Sequence, residues 1–268
     1  MKKIFKRIYI EILNYCNLNC SFCVKTIKPK NCMSIDSFSH ILDEIKPYTD
    51  YIYLHVQGEP LLHPELSDFL KVAKDKGFNI NLTTNGTLID KNLFILDYLR
   101  QINISIQALY NMPNRDKYLN SICKLIDSNK TTYISLRLWG DFESGEIIKY
   151  FENKFNKSVD KDHGYRLTDR VFFSFDEKFD WPSLNLPIIG KCGSCQGTIS
   201  HVGILSDGTV VPCCLDKDGI VDLGNVFESS FKDIINGERF TSIRNGFKSN
   251  IVKEELCLKC SYRTRFNK

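Results

Sequence analysis

Short runs in which Ile, Leu, Val and aromatic residues alternate with polar ones recur along the first two thirds of the chain. Between these runs, apolar residues repeat at the three-to-four-residue spacing of a helix. Strands are predicted at 7–14 (RIYIEILN), 51–56 (YIYLHV), 79–84 (NINLTT), 102–107 (INISIQ), 132–139 (TYISLRLW) and 171–175 (VFFSF). Helices are predicted at 34–46, 64–76, 90–100, 115–129 and 144–155; the first has Ser34 as its N-cap and stops before Pro47. The fold class is therefore α/β, with six strands alternating with helices. Such βαβ units make a parallel sheet, closed fully or partly into a barrel.

The pattern changes after Pro187. Residues 192–262 hold six cysteines, a strand-turn-strand signal in HVGILSDGTVVPCC with Asp207-Gly208 at the turn, and one predicted helix near 228–238. A segment this short has little core of its own, and a metal would supply the missing stability. Two units follow, 1–185 and 186–268, with the boundary near 180–191.

At 268 residues, 43% hydrophobic and 25% charged, the chain has ordinary globular composition. Its net charge of +4 comes from scattered lysines, so no nucleic-acid partner is expected. The N-terminal MKKIFKRIYIEIL is read as a strand because Glu11 interrupts a short, alternating apolar stretch. A cytoplasmic protein without a membrane span is the expectation. Eleven cysteines change this bland picture, since disulfides are rare in the cytosol. Ten of the eleven lie within 16–32 or 192–260, and only Cys123 stands apart. Clustering of this kind points to metal ligation.

Cys16, Cys20 and Cys23 form CxxxCxxC directly after the first predicted strand. Three thiolates leave one iron of a 4Fe-4S cube without a protein ligand, whereas a structural cluster takes four. Loops at the C-terminal ends of barrel strands are also where such folds carry their active sites. The alternative is zinc on three cysteines, with His40 or Cys32 as fourth ligand.

The motif, including Phe22 before its last cysteine, resembles that of the radical S-adenosylmethionine (SAM) superfamily. The resemblance implies a partial (β/α)6 TIM-like barrel and a 4Fe-4S cluster whose open iron chelates the amino and carboxylate groups of SAM. It further implies reductive cleavage of SAM to a 5'-deoxyadenosyl radical that abstracts hydrogen from a substrate. HVQGEPLLHPEL (55–66) resembles the family's GGEP segment, with Gln57 in place of the first glycine, so Gly58, Glu59 and Pro60 would meet the methionyl ammonium. By the same resemblance Asn85 in TTNGT and Ser105 in SIQ touch SAM, and Arg137 pairs with its carboxylate. Each also has a plain structural reading: an Asn-Gly turn, a strand residue, an internal ion pair. His55 and His63 are read as structural.

For the C-terminal cysteines, Cys192-x-x-Cys195 with Cys257-x-x-Cys260 would suit structural zinc. The frame from Cys195 through the hairpin to CLKC instead resembles the SPASM/twitch extension, which implies an auxiliary 4Fe-4S cluster on Cys195, Cys213, Cys257 and Cys260. The shorter, one-cluster twitch form is expected. Exchange of Cys192 for Cys195, or of Cys214 for Cys213, stays open, and the roles of Cys32, Cys192 and Cys214 are unassigned.

Relatives of this type include aminocyclitol dehydrogenases and anaerobic sulfatase or peptide maturases. The expected reaction is a two-electron oxidation of a polar small molecule of sugar or cyclitol type, with flavodoxin or a ferredoxin as reductant. Radical modification of a peptide or protein residue is the second reading. A non-catalytic iron-sulfur or zinc-stabilised binding or electron-transfer protein is the third. Trp139, Ser174 and Asp176 are candidate substrate contacts, and no general base is assigned.

Overall fold

A computed structural model of the chain describes residues 3–139, 144–160, 162–177 and 179–266. The six predicted strands form at β1 (Arg7–Ile10), β2 (Tyr51–Leu54), β3 (Asn79–Thr84), β4 (Leu99–Ser105), β5 (Tyr133–Trp139) and β6 (Val171–Asp176). The helices are α1 (Ile35–Ile45), α2 (Leu66–Asp75), α3 (Arg115–Ser128) and α4 (Ser144–Phe155). Neighbouring strands from β1 to β6 pair in parallel and in chain order. The Ser34 cap is present, its Oγ accepting from the Ser37 amide at 3.2 Å.

One predicted helix is absent. Residues 90–100 instead make two short 3-10 turns, Ile89–Lys91 and Leu93–Asp97, and β4 begins at Leu99. Asn92 breaks the helix: its backbone leaves the helical region at φ −129°, ψ 28°, and its side-chain amide donates to the Leu88 carbonyl at 2.9 Å. Short polar side chains compete with the helical ladder in this way.

Side-chain alternation divides the sheet into two faces. Ile8, Ile10, Ile52, Leu54, Ile80, Leu82, Ile102, Ile104, Ile134 and Leu136 are fully buried and share one continuous core with Phe38, Ile41, Phe69 and Leu70 of the helices. The opposite face carries Arg7, Tyr9, Tyr53, Asn81, Asn103, Ser135 and Arg137. A filled TIM barrel has branched apolar residues there. This barrel is lined by polar ones.

The C-terminal segment adds β7 (His201–Ile204) and β8 (Val210–Val211), joined through the predicted turn, where Gly208 has φ +87°. β7 pairs in parallel with β1, so the hairpin continues the barrel sheet in the order β6-β5-β4-β3-β2-β1-β7-β8. The helix predicted near 228–238 is α5 (Phe231–Asn236). It is followed by two helices that were not anticipated, α6 (Glu238–Lys248) and α7 (Glu255–Leu258). Gly237, extended at ψ 157°, separates α5 from α6. α6 buries Phe240, Ile243 and Phe247 at helical spacing, a pattern masked by the glycine in its last turn, Gly246. A small second core of Val221, Ile243, Phe247, Val252 and Leu256 forms here, with Cys195 and Cys257 against it. Among the described residues no helix is long and apolar enough to cross a membrane.

α1 and α2 are held together by the stacked rings of Phe38 and Phe69, 4.4 Å between centroids, both fully buried. Phe69→Ala should lower the unfolding free energy by about 3–5 kcal/mol in a urea titration. A loss below about 1 kcal/mol would mean that this helix pair is not part of the core.

Candidate active site

The segment after β1 leaves the sheet and returns to it. Met33 N donates to Ile12 O at 2.9 Å and Asn14 N to Asn31 O at 3.2 Å. The Asn14 side chain closes the same neck, donating to Pro29 O and accepting from Asn31 N, both at 2.8 Å. Cys16, Cys20 and Cys23 lie on the loop so enclosed, at the C-terminal end of β1, with Phe22 half-buried beside them. The extension holds the loop from outside. Asp218 accepts from Thr26 Oγ1 (2.7 Å) and Ile27 N (3.0 Å), and Lys28 pairs with Asp207 at 2.6 Å.

The three thiols stand in one electrostatic neighbourhood and open to the mouth of the barrel. Surrounding protein, and then the neighbouring thiols, push Cys20 and Cys23 above the ordinary thiol range. Three thiolates so placed repel one another, and a polycationic iron-sulfur cube supplies the missing counter-charge. Polar N–H groups already aim at sulfur. Leu18 N (3.4 Å) and Asn85 Nδ2 (3.5 Å) donate to Cys16, and Asn111 Nδ2 donates to Cys20 at 3.4 Å. The donor set fits a three-thiolate cluster. The other proposed ligands point elsewhere: His40 Nε2 donates to Val226 O at 3.0 Å, and the Cys32 thiol meets the Tyr15 hydroxyl. Among the described residues no three His, Cys, Asp or Glu side chains are placed to hold a single metal ion.

The GEP segment packs directly beneath this loop. Glu59 N donates to Tyr15 O at 3.0 Å, and Gly58 adopts φ +80° where a Cβ would lie 2.5 Å from Leu13 O, so only glycine fits. The Glu59 side chain does not face the mouth. Its carboxylate is fully buried and accepts from Thr84 Oγ1 (2.7 Å), Asn85 N (2.7 Å) and Leu61 N (3.0 Å). Burial raises its pKa to about 7 against these three stabilising bonds. Pro60 opens the short helical turn that follows and is buried. Thus Gly58, Glu59 and Pro60 present backbone to the site, while the carboxylate ties the GEP loop to the TTNGT loop.

Asn85 is more than a turn residue. Its amide nitrogen donates to Cys16 Sγ and to Asn17 Oδ1 (2.9 Å), its oxygen accepts from Thr87 N (2.9 Å), and its carbonyl accepts from Tyr118 at 2.9 Å. Ser105 closes β4 in register with Arg137 on β5, which in turn faces Ser174 on β6. Arg137 lies inside the barrel, 5.7 Å over the Trp139 ring, and makes no ion pair among the described residues. Asp176 is committed elsewhere, to Arg265, and the Trp139 ring lies 6.1 Å from that of Phe179.

Glu11 was passed over as an interruption in an apolar run. It is buried, its carboxylate accepts from Ser206 Oγ (3.0 Å), Ser206 N (3.3 Å) and Gln57 N (3.2 Å), and desolvation raises its pKa to about 7. An acid on an otherwise apolar strand was the available signal. Asn17, Asn111 and Tyr118 carried none, because their partners are distant in sequence.

In the extension, Cys195, Cys213, Cys257 and Cys260 influence one another's ionisation, each held up first by burial. Arg263, almost fully buried, donates to the carbonyls of Cys257 (3.0 Å), Cys192 (2.9 Å) and Gly190 (2.9 Å), which fixes both CxxC turns. Four half-buried thiols gathered in this way fit a cluster that needs four thiolates. The Cys192 thiol is exposed. Cys214 turns into the barrel beside Tyr9, Arg7 and Arg137.

Two family models match. The radical SAM superfamily covers residues 10–136, and the SPASM iron-sulfur cluster-binding domain covers 192–261. Among curated proteins, a tungsten-containing aldehyde ferredoxin oxidoreductase cofactor-modifying protein of Pyrococcus furiosus is 36% identical over 88 residues, 31% of this chain and 25% of that protein. This chain spans only 25 to 38% of the length of such relatives. Among solved structures, BtrN in complex with AdoMet and 2-DOIA aligns with a TM-score of 0.59 at 18% identity, covering 97% of this chain and 94% of that one. Streptococcus suis SuiB bound to S-adenosylmethionine aligns with a TM-score of 0.66 at 17% identity, covering 96% and 71%. At these identities the likeness speaks for the fold. The two family matches fall on the two cysteine groups just described, and the chain belongs to the radical SAM superfamily with a SPASM domain.

Proposed function

We propose that this chain is a SAM-dependent radical oxidoreductase that removes two electrons from a polar small molecule of sugar or cyclitol type. The observation that carries the reading is the three-thiol loop at the barrel mouth, with the GEP and TTNGT loops tied to it through Glu59 and Asn85. When bound, the cluster on Cys16, Cys20 and Cys23 supplies one-electron reduction of SAM and hence a radical able to abstract hydrogen. The chain's own residues do the positioning. Backbone of the GEP segment and the Asn85 region receive the methionyl ammonium, Ser105 lines the same rim, and Arg137 takes the carboxylate. Cys195, Cys213, Cys257 and Cys260 hold an auxiliary cluster that fits the loss of the second electron.

A small, enclosed substrate is favoured because the barrel is lined by polar side chains and the chain matches BtrN over nearly the whole of both proteins. Peptide modification is the second reading, favoured by the fold shared with SuiB bound to precursor peptide. If deoxyadenosine forms from SAM and reductant only when a peptide is added, the small-molecule reading falls.

Anaerobic reconstitution should load about eight irons per chain, falling to about four in Cys16→Ala/Cys20→Ala/Cys23→Ala, which should also lose SAM cleavage. Unchanged iron in that variant, or intact SAM after strong reduction of the wild type, would leave the chain a non-catalytic metal protein.

Glu59→Gln mimics the protonated carboxyl. With a folded pKa near 7, above its ordinary value, Glu59 is protonated at low pH and ionised at high pH. SAM affinity of the variant should therefore match wild type within about twofold at pH 6 and fall about tenfold behind at pH 8.5, the value of one charged hydrogen bond. Isothermal titration at the two pH values checks this; a pH-independent deficit would assign Glu59 a direct contact with SAM.

A further inference from the structure

The polar lining of the barrel has an unbalanced charge. Tyr9 sits at its centre, 5.3 Å from the rings of Tyr53 and His55 and 5.6 Å from His201. Arg7 stacks over Tyr53 at 5.1 Å, and Arg137, on the same face of the sheet but on β5, lies over Trp139 at 5.7 Å. Among the described residues neither guanidinium pairs with a carboxylate. Their near neighbours include Tyr9, Tyr53 and Cys214. Asp176, the acid that acts on Arg137 among the described residues, is taken by Arg265, and Glu11 is turned toward Ser206 and Gln57.

The positive field is felt by the histidines. His55 is held neutral, its pKa lowered to about 3 by burial and then by Arg137 and Arg7, and His201 is lowered to about 4 by burial and Arg7. His55 Nδ1 is buried and has no hydrogen-bond partner. Half-buried charges such as Arg7 and Arg137 lose part of their hydration without gaining a counter-charge, and a buried polar atom without a partner is costly; a ligand can complete both. The carboxylate of SAM, on the reading above, satisfies Arg137. It leaves Arg7.

We propose that Arg7, with Tyr9, Tyr53 and His55, forms a subsite for an anionic group of the substrate, a carboxylate or a phosphate. This rests on the reading of the barrel as a small-molecule site and narrows it. An amine-bearing cyclitol would bring a third positive charge into a space with no free acid among the described residues, whereas an acidic or phosphorylated polyol brings a negative one. The neutral His55 and the tyrosine hydroxyls then serve the remaining hydroxyl groups.

The test uses reconstituted, oxygen-free protein saturated with SAM and left without reductant, so that binding is read without turnover. Glucuronate, glucose 6-phosphate, glucose and glucosamine are compared by equilibrium dialysis. At least one of the two anions should bind beside SAM at least about tenfold more tightly than glucose or glucosamine, and the tighter of the two identifies the acidic group. Arg7→Gln should abolish the preference and Arg7→Lys should keep part of it, with SAM affinity of both variants as the folding control. The proposal is overturned if glucosamine or glucose binds as well as the anions, if the anions only displace SAM, if neither binds at about 10 mM, or if Arg7→Gln leaves the preference intact. Because no reductant is present, such a failure leaves the SAM-cleavage reading standing.

Discussion

A buried carboxylate is what holds the mouth of this barrel together. Glu59 collects donors from its own turn and from the end of β3, while its backbone amide holds the carbonyl that precedes Cys16. Three loops that follow three different strands are therefore fixed relative to one another by one residue, two through its side chain and the third through its backbone amide. The first cysteine loop has no hydrophobic core of its own, so its shape depends on such bonds. A second buried acid, Glu11, does the same on the other side and joins β1 to the Gln57 loop and to the hairpin turn at Ser206. The site is polar at its surface and polar in its supports.

That arrangement also explains why the extension is part of the barrel rather than an ornament. Its hairpin pairs with β1, its Asp218 and Asp207 anchor the outer side of the cysteine loop, and its Cys214 reaches the barrel interior. Adjacent cysteines on one turn face opposite ways, with Cys213 toward Cys195 and Cys257 and Cys214 toward Tyr9. The auxiliary thiols and the barrel lumen are thus neighbours through a single peptide bond.

Much of the fold was legible because its signals are local. Alternating Ile and Leu define the strands, Ser34 and Asp207-Gly208 mark a cap and a turn, and CxxxCxxC needs only eight consecutive residues. Where the reading failed, a local signal lost to another one: Asn92 outweighed the apolar spacing at 90–100, and Gly246 hid α6. The inward turn of Glu59, the pairing of Asp176 with Arg265 and the exposure of Cys192 depend on contacts between residues far apart in the chain. No spacing rule carries that information. The same holds for the charge balance of the lumen, which exists only once β1, β2 and β5 curve around a common space.

The central claim is that SAM binds to an iron left open by three thiolates. It is tested most directly by electron paramagnetic resonance of the reduced, reconstituted protein with SAM labelled with nitrogen-15 at its amino group. The account predicts a cluster signal whose g-values shift when SAM is added and which carries a hyperfine coupling to the label, both lost when Cys16, Cys20 and Cys23 are replaced. A spectrum indifferent to SAM, or the same spectrum in the cysteine variant, would contradict it.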